Sequence, residues 1–194
     1  MLLDKLKNKK LILASKSPRR QKFLKDLGLD FEIRLKEVEE TYPDHLKREE
    51  ITNYLSQLKA KPFLNELNKD DLLITSDTIV WLNEKALGKP KDRTDATEML
   101  QRLSDNSHEV ITSISITSKN NQITVNDITK VYFKPLTLDE ITYYLDRYKP
   151  YDKAGSYGIQ EWIGFIGIEK IEGSYFNVMG FPTHKFYEAL KSFN

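Results

Sequence analysis

The residues most able to do chemistry are carboxylates and cations placed at the ends of apolar runs. Asp77 lies inside "LLITSDTIVWLN", Leu72 to Asn83, and Thr78 follows it. A carboxylate in such a run is costly to bury unless it is paired, hydrogen-bonded or bound to a cation. Strand ends in α/β sheets are where such groups meet ligands. The lesser alternative, taken alone, is an exposed aspartate on an alternating strand. Upstream, "LKEVEETYP" gathers Glu37, Glu39 and Glu40, like charges that repel unless a basic group or a cation lies among them. Alone, this is a solvated charge run.

The cations sit at comparable places. In "LASKSPRR" an apolar strand runs into a helix, whose first N–H groups make an anion site. Ser15 and Ser17 add hydroxyls there, and Arg19 and Arg20 add forked donors that match phosphate oxygens. The bland alternative is a capped helix with solvated arginines. Lys89 is presented by the Gly88–Pro90 turn of "ALGKPKDRTDA", where a lysine is ordinarily just solvated. The "YDKAGSYGIQE" segment sets Asp152, Lys153, Gln160 and Glu161 around Gly155 and Gly158, but matches neither the P-loop nor the dinucleotide-binding pattern. His45, His108 and His184 have no metal-ligand spacing, and no nucleophile elbow or triad is present. Together the carboxylates suit a hard divalent metal, and the arginines and lysines suit a polyphosphate.

Positioning these groups requires an alternation of strands and helices. Helical spacing places Phe23, Leu24 and Leu27 on one face after Ser17 and Pro18, with Gly28 as the stop. It recurs at Ile51, Tyr54, Leu55 and Leu58; at Ala96, Met99, Leu100 and Leu103; at Ile141, Tyr144, Leu145 and Tyr148; and at Phe186, Ala189, Leu190 and Phe193. A capping box from Thr137 to Glu140 opens the fourth of these segments. Strands are predicted over 10–15, 31–38 and 72–82, over a hairpin of 108–118 and 122–134, and over 165–171 and 175–179. This order predicts an α/β fold with a mixed sheet.

A length of 194 residues suits one domain, or one domain with two lobes. The net charge of +1 gives no bulk electrostatic reason to bind nucleic acid. There is no cysteine, which excludes disulfides, thiolate metal sites and a cysteine nucleophile. The apolar run near the N-terminus is short and broken by charges, unlike a signal peptide, and no stretch is long enough to span a membrane. A soluble cytoplasmic protein is expected.

The pieces "LASKSPRR", "EVEET", "LKAKP", "SDTIVW", "LGKP", "HEVITS", "DKAGSYGIQ" and "IEGSYFNVMGFP", in this order, resemble the Maf family of nucleoside triphosphate pyrophosphatases. The resemblance runs from Leu13 to Pro182. It implies a single domain over 1–194, with one lobe or two around a central cleft, and a long mixed β-sheet flanked by helices of the inosine-triphosphatase type, often in a homodimer. The implied reaction is NTP plus water giving NMP and pyrophosphate, with Mg²⁺ or Mn²⁺. By the same resemblance Asp77 is the catalytic, metal-associated proton acceptor and Glu40 a second acidic, metal-associated residue. Ser15, Arg20, Lys59 and Lys89 correspond to positions that hold the triphosphate. Arg19, Thr78 and Gln160 correspond to positions tied to base choice. A sister branch preferring 7-methyl-GTP carries Trp, Gln and Glu there, so dTTP and UTP are the expected substrates. The alternatives are modified nucleotides, or a nucleotide-binding regulator of cell division. Phe181 departs from the family's usual Leu, and Asp105–Asn106 from its usual glycine-containing turn.

Overall fold

A computed structural model describes residues 2–193. Along the chain come α1 (Leu2–Leu6), β1 (Lys10–Leu13), α2 (Pro18–Asp26), β2 (Phe31–Ile33), α3 (Glu49–Ala60) and a 3-10 helix (Lys61–Glu66). Then follow β3 (Asp71–Leu82), β4 (Lys85–Leu87), α4 (Arg93–Leu103), β5 (Ser107–Thr117), β6 (Gln122–Phe133) and α5 (Leu138–Tyr148). A 3-10 turn (Ala154–Ser156), α6 (Trp162–Gly167), β7 (Ile168–Glu172), α7 (Tyr175–Val178) and α8 (Thr183–Ser192) complete it. The seven strands form one sheet in the order β2-β1-β3-β5-β6-β7, with β4 on β3. β1 runs parallel to both its neighbours, Leu11 lying opposite Phe31 and Leu72. β4 and β7 are antiparallel to β3 and β6. The expected α/β class with a mixed sheet is what the chain adopts.

The chain divides into two compact units; three of the divisions fall inside β3, β5 and β6, and the fourth lies between α7 and α8. The first unit comprises the described residues up to Asp77, Thr112–Asp127 and those from Gly180 onward. Its core includes Ile12, Ala60, Phe63, Leu67 and Leu73. Phe181 packs there between Phe23 and Phe186, so the departure from leucine is filled by aromatic stacking. The second unit comprises Thr78–Ile111 and Ile128–Met179. Its core brings Val80, Leu100 and Leu103 against Ile141, Tyr144, Leu145 and Ile163.

Local signals account for the helix boundaries. Ser17 caps α2 by accepting from the Arg20 N–H, and Pro18 supplies the fixed φ of the first turn. The Thr137–Glu140 capping box opens α5. Three expected strands differ from the observed elements. The 31–38 strand stops at Ile33, because β2 is the sheet edge and the charged residues after it have only one strand to pair with. The 165–171 segment begins as α6 and becomes strand only at Ile168. The 175–179 segment is helical, with Ser174 accepting from the Asn177 N–H as its cap; its aromatics gave a strand-like composition without strand periodicity.

His108 is a core residue. Its Nε2 lies 2.7 Å from the Tyr157 hydroxyl, and Phe133 packs on both rings. Burial pushes its pKa down to about 3, so it is neutral at physiological pH. Among the described residues no helix is long and apolar enough to cross a membrane.

Candidate active site

Asp77 is 5% exposed. Every residue of β3 except the half-buried Thr78 is buried, on both faces of the strand, and the alternating, half-exposed reading does not hold. The carboxylate is satisfied by an ammonium: Lys59 Nζ, from the last turn of α3, donates to Asp77 Oδ1 at 2.6 Å. The same nitrogen lies 3.0 Å from Glu40 Oε2. The acidic run thus has the basic group its repulsion calls for, and that group is shared with Asp77. Burial pushes the Asp77 pKa above the ordinary aspartate value; Lys59, and then Arg20, pull against that rise, while Glu40 adds to it.

Arg20 braces the strand that carries Asp77. Its Nη1 donates to the Ser76 carbonyl at 2.9 Å, and its Nε donates to the Gly180 carbonyl at 3.0 Å. Burial lowers its pKa to about 10, opposed by the Asp77 charge, so it remains a cation. Ser15 is buried at the end of β1 and its Oγ accepts the Ser17 N–H at 3.2 Å. Arg19 is half-buried on the first turn of α2. The first unit therefore brings together Asp77, Lys59, Glu40 and Arg20, with Ser15 and Arg19 on the adjoining strand end and helix start.

The remaining expected residues are carried by the second unit. Thr78 follows Asp77 in β3 and is half-buried. Lys89 is exposed and has no partner among the described residues, while the carbonyl of Gly88 before it accepts the Gly155 N–H at 3.0 Å. That approach requires glycine at 155: its φ is +68°, and a Cβ there would meet Val80 Cγ2 at 2.8 Å. Gln160 is half-buried, and its amide has no partner among the described residues. Its neighbours are pinned. The buried Tyr144 hydroxyl donates to Glu161 Oε2 and accepts the Gly158 N–H at 3.1 Å, and Lys153 reaches Glu161 at 3.1 Å. Burial, then the hydrogen bond to Glu161, pushes the Tyr144 pKa upward, so the phenol keeps its proton. Sequence reasoning noted Lys153 and Glu161 but missed Tyr144, because its helical spacing reads as core.

The donor set bears on a metal. Among the described residues no group of three or more His, Asp or Glu is placed to hold one. Asp77 and Glu40 are two carboxylates already sharing a cation. Mg²⁺ is ordinarily held by one or two carboxylates with the rest of its shell from substrate phosphates and water. The pair therefore fits a divalent ion that arrives with a phosphorylated ligand, rather than a cage built wholly from protein.

The fold and this cluster define an α/β protein with a buried carboxylate midway along a strand, two cations beside it and a second acid, a set suited to phosphate chemistry. Residues 10–193 match the family described as Maf-like protein, and the chain belongs to that family. It is 58% identical over 190 residues to the "dTTP/UTP pyrophosphatase" of Flavobacterium johnsoniae, covering 98% of each chain. It is 60% identical over 187 residues to the protein of that name from Flavobacterium psychrophilum, covering 96% of each. Among solved structures, the Staphylococcus aureus Ham1 protein has a TM-score of 0.48 at 18% identity, covering 64% of this chain and 72% of that one.

Proposed function

We propose that this chain hydrolyses dTTP and UTP to the nucleoside monophosphate and pyrophosphate, clearing them from nucleotide pools. The observation that carries the reading is the buried Asp77 carboxylate tied to Lys59, with Glu40 on the same ammonium. It stands beside close similarity to relatives that bear the name dTTP/UTP pyrophosphatase.

In this mechanism Asp77 accepts a proton from the water that attacks the α-phosphorus, and the raised proton affinity of a buried carboxylate makes it a better base than an ordinary aspartate. The bond from the α-phosphorus to the bridging oxygen breaks, and pyrophosphate leaves with that electron pair. Lys59, Arg20 and Lys89 supply positive charge to the triphosphate, and the Ser15 hydroxyl supplies a donor. Mg²⁺ or Mn²⁺, held by Asp77 and Glu40 when bound, would supply further neutralisation of the phosphate charge. Arg19, Thr78 and Gln160 select the base. The Gln160 amide offers both a donor and an acceptor, which matches the imide edge of uracil or thymine, where an N–H lies between two carbonyls.

The test is a panel of nucleoside triphosphates hydrolysed in isotopically labelled water with Mg²⁺. Expected are monophosphate and pyrophosphate from dTTP and UTP, with the label in the monophosphate, and no reaction in EDTA. Orthophosphate and a diphosphate as first products would place attack at the γ-phosphorus and overturn the reading. Gln160→Glu sets a carboxylate against a base carbonyl, and should erode the preference for dTTP over 7-methyl-GTP by about tenfold in kcat/KM, the lower part of what a lost bidentate base contact is worth. An unchanged ratio would remove Gln160 from base selection.

A further inference from the structure

Lys59 reaches Asp77 from a helix whose buried face is unusually polar. α3 buries Ile51, Leu55 and Ala60, but also Thr52 and Ser56. Serine and threonine are poorer helix formers than alanine, so their presence at buried helix positions asks for a reason. Thr52, Ser56 and Lys59 follow one another at i+4 and i+3, so they lie along one face. Each hydroxyl meets a hydroxyl of β5. Thr52 Oγ1 lies 2.6 Å from Ser113 Oγ, and Ser56 Oγ lies 2.8 Å from Ser115 Oγ. All four residues are fully buried.

A hydroxyl has one proton to give, and that count orders the chain around Ser56. Ser56 donates to the Asn53 carbonyl at 2.9 Å, so its contact with Ser115 is one it accepts. Ser115 has then given its proton, and accepts from Thr124 Oγ1 at 2.9 Å. Thr124 in turn accepts from Gln57 Nε2 at 3.0 Å. The relay begins and ends on α3. A third strand joins at the same place: Thr75 Oγ1 donates to the Ser56 carbonyl at 2.7 Å. Thr75 and Asp77 share a face of β3, as residues two apart must, and Ser56 and Lys59 are one turn apart. The tie from Thr75 to Ser56 and the tie from Lys59 to Asp77 are therefore neighbouring contacts between the same two elements.

We propose that the buried hydroxyls of Ser56, Ser115 and Thr75 are positioning residues, which lock α3 along its axis and so hold the Lys59 ammonium on Asp77 and Glu40. Apolar contacts constrain separation well and sliding weakly, because they have no direction. Hydrogen bonds this short lose their geometry when an element slides. A small displacement of a catalytic group can cost a large factor in rate, and Lys59 is the group at the end of this face. The inference rests on the catalytic reading of Lys59 and Asp77 for its kinetic consequence, though not for its structural one.

The experiment is the double variant Ser56→Ala with Ser115→Ala. It removes both hydroxyls of the central contact, and Thr124, which loses its acceptor, is only half-buried and within reach of water, so stability should change little. Two readouts follow. In the free enzyme the Lys59 ammonium, held in a partly buried ion pair, should give a protected ¹H–¹⁵Nζ signal, assigned by its loss in Lys59→Met; in the double variant it should exchange faster and broaden. With dTTP, kcat should fall about tenfold while KM changes little. Thr75→Val, nearly isosteric, removes the β3 tie alone and should move both readouts the same way; it decides the matter if the double variant does not fold. A sharp Lys59 signal with unaltered kcat in the folded variants would overturn the proposal and make the hydroxyls plain packing. If the unmodified protein hydrolysed no nucleotide, the catalytic reading would fail, and the ammonium signal would still judge the positioning.

Discussion

Asp77→Asn is expected to fold and to lose roughly 10²–10⁴ in kcat with Mg²⁺, the usual worth of a positioned general base. The amide keeps the shape and can still accept a hydrogen bond from Lys59, but cannot take a proton from water. The same residue predicts an unusual companion result. Its folded-state pKa is raised, so between the ordinary aspartate value of 3.8 and the folded value the native state binds the proton that the unfolded state has released. Stability falls as pH rises through that window, and the ionised carboxylate remains a cost at neutral pH. The neutral amide carries no such cost. The melting temperature of Asp77→Asn at pH 8 should equal or exceed that of the unmodified protein, and the gap should close as both are acidified. Near-normal turnover in the variant would make Asp77 structural and the proposed mechanism wrong. A large fall in melting temperature would show that the Lys59 contact outweighs the burial cost. Gains in stability at the expense of turnover are the familiar mark of a group kept for chemistry.

The amphipathic helices α2, α3, α4, α5 and α8 were legible because their apolar spacing matches a helical face packed on one side. The elements that escaped were short. α7 has four residues and owes its form to the Ser174 cap, and β4 has three and exists because β3 offers it an edge. At the site, residue types were legible and partnerships were not. Asp77 in an apolar run demanded a partner, but nothing in spacing pointed to a lysine eighteen positions earlier. The arginines of "SPRR" announced an anion site, yet Arg20 spends two donors on the carbonyls of Ser76 and Gly180, one of them 160 positions away. Such backbone acceptors carry no side-chain signature. The same is true of the Ser56–Ser115 contact, since serine on a helix and serine on a strand each read as ordinary surface residues.

Lys59→Met is expected to lower kcat/KM at pH 7 by about 10²-fold, and part of that loss should be recoverable with alkali. Methionine keeps the length and apolar stem of lysine but leaves the buried Asp77 without the cation that most opposes its burial. A carboxylate stranded in this way takes up a proton rather than remain charged. Loss of an adjacent cation is worth about 1–3 pH units in such a site, so the acid limb of kcat/KM should move up by about that much. Below the limb Asp77 holds its proton and cannot act as a base; above it the carboxylate returns and activity rises. The fraction not recovered by pH 9 measures the charge Lys59 contributes to the triphosphate itself. Lys59→Arg keeps the cation and should leave the limb near its original place, with a smaller loss because the broader guanidinium cannot sit between Asp77 and Glu40 as the ammonium does. A loss in Lys59→Met that was the same at every pH would mean that Lys59 serves the substrate alone, and that Asp77 is kept ionised by the Arg20 charge.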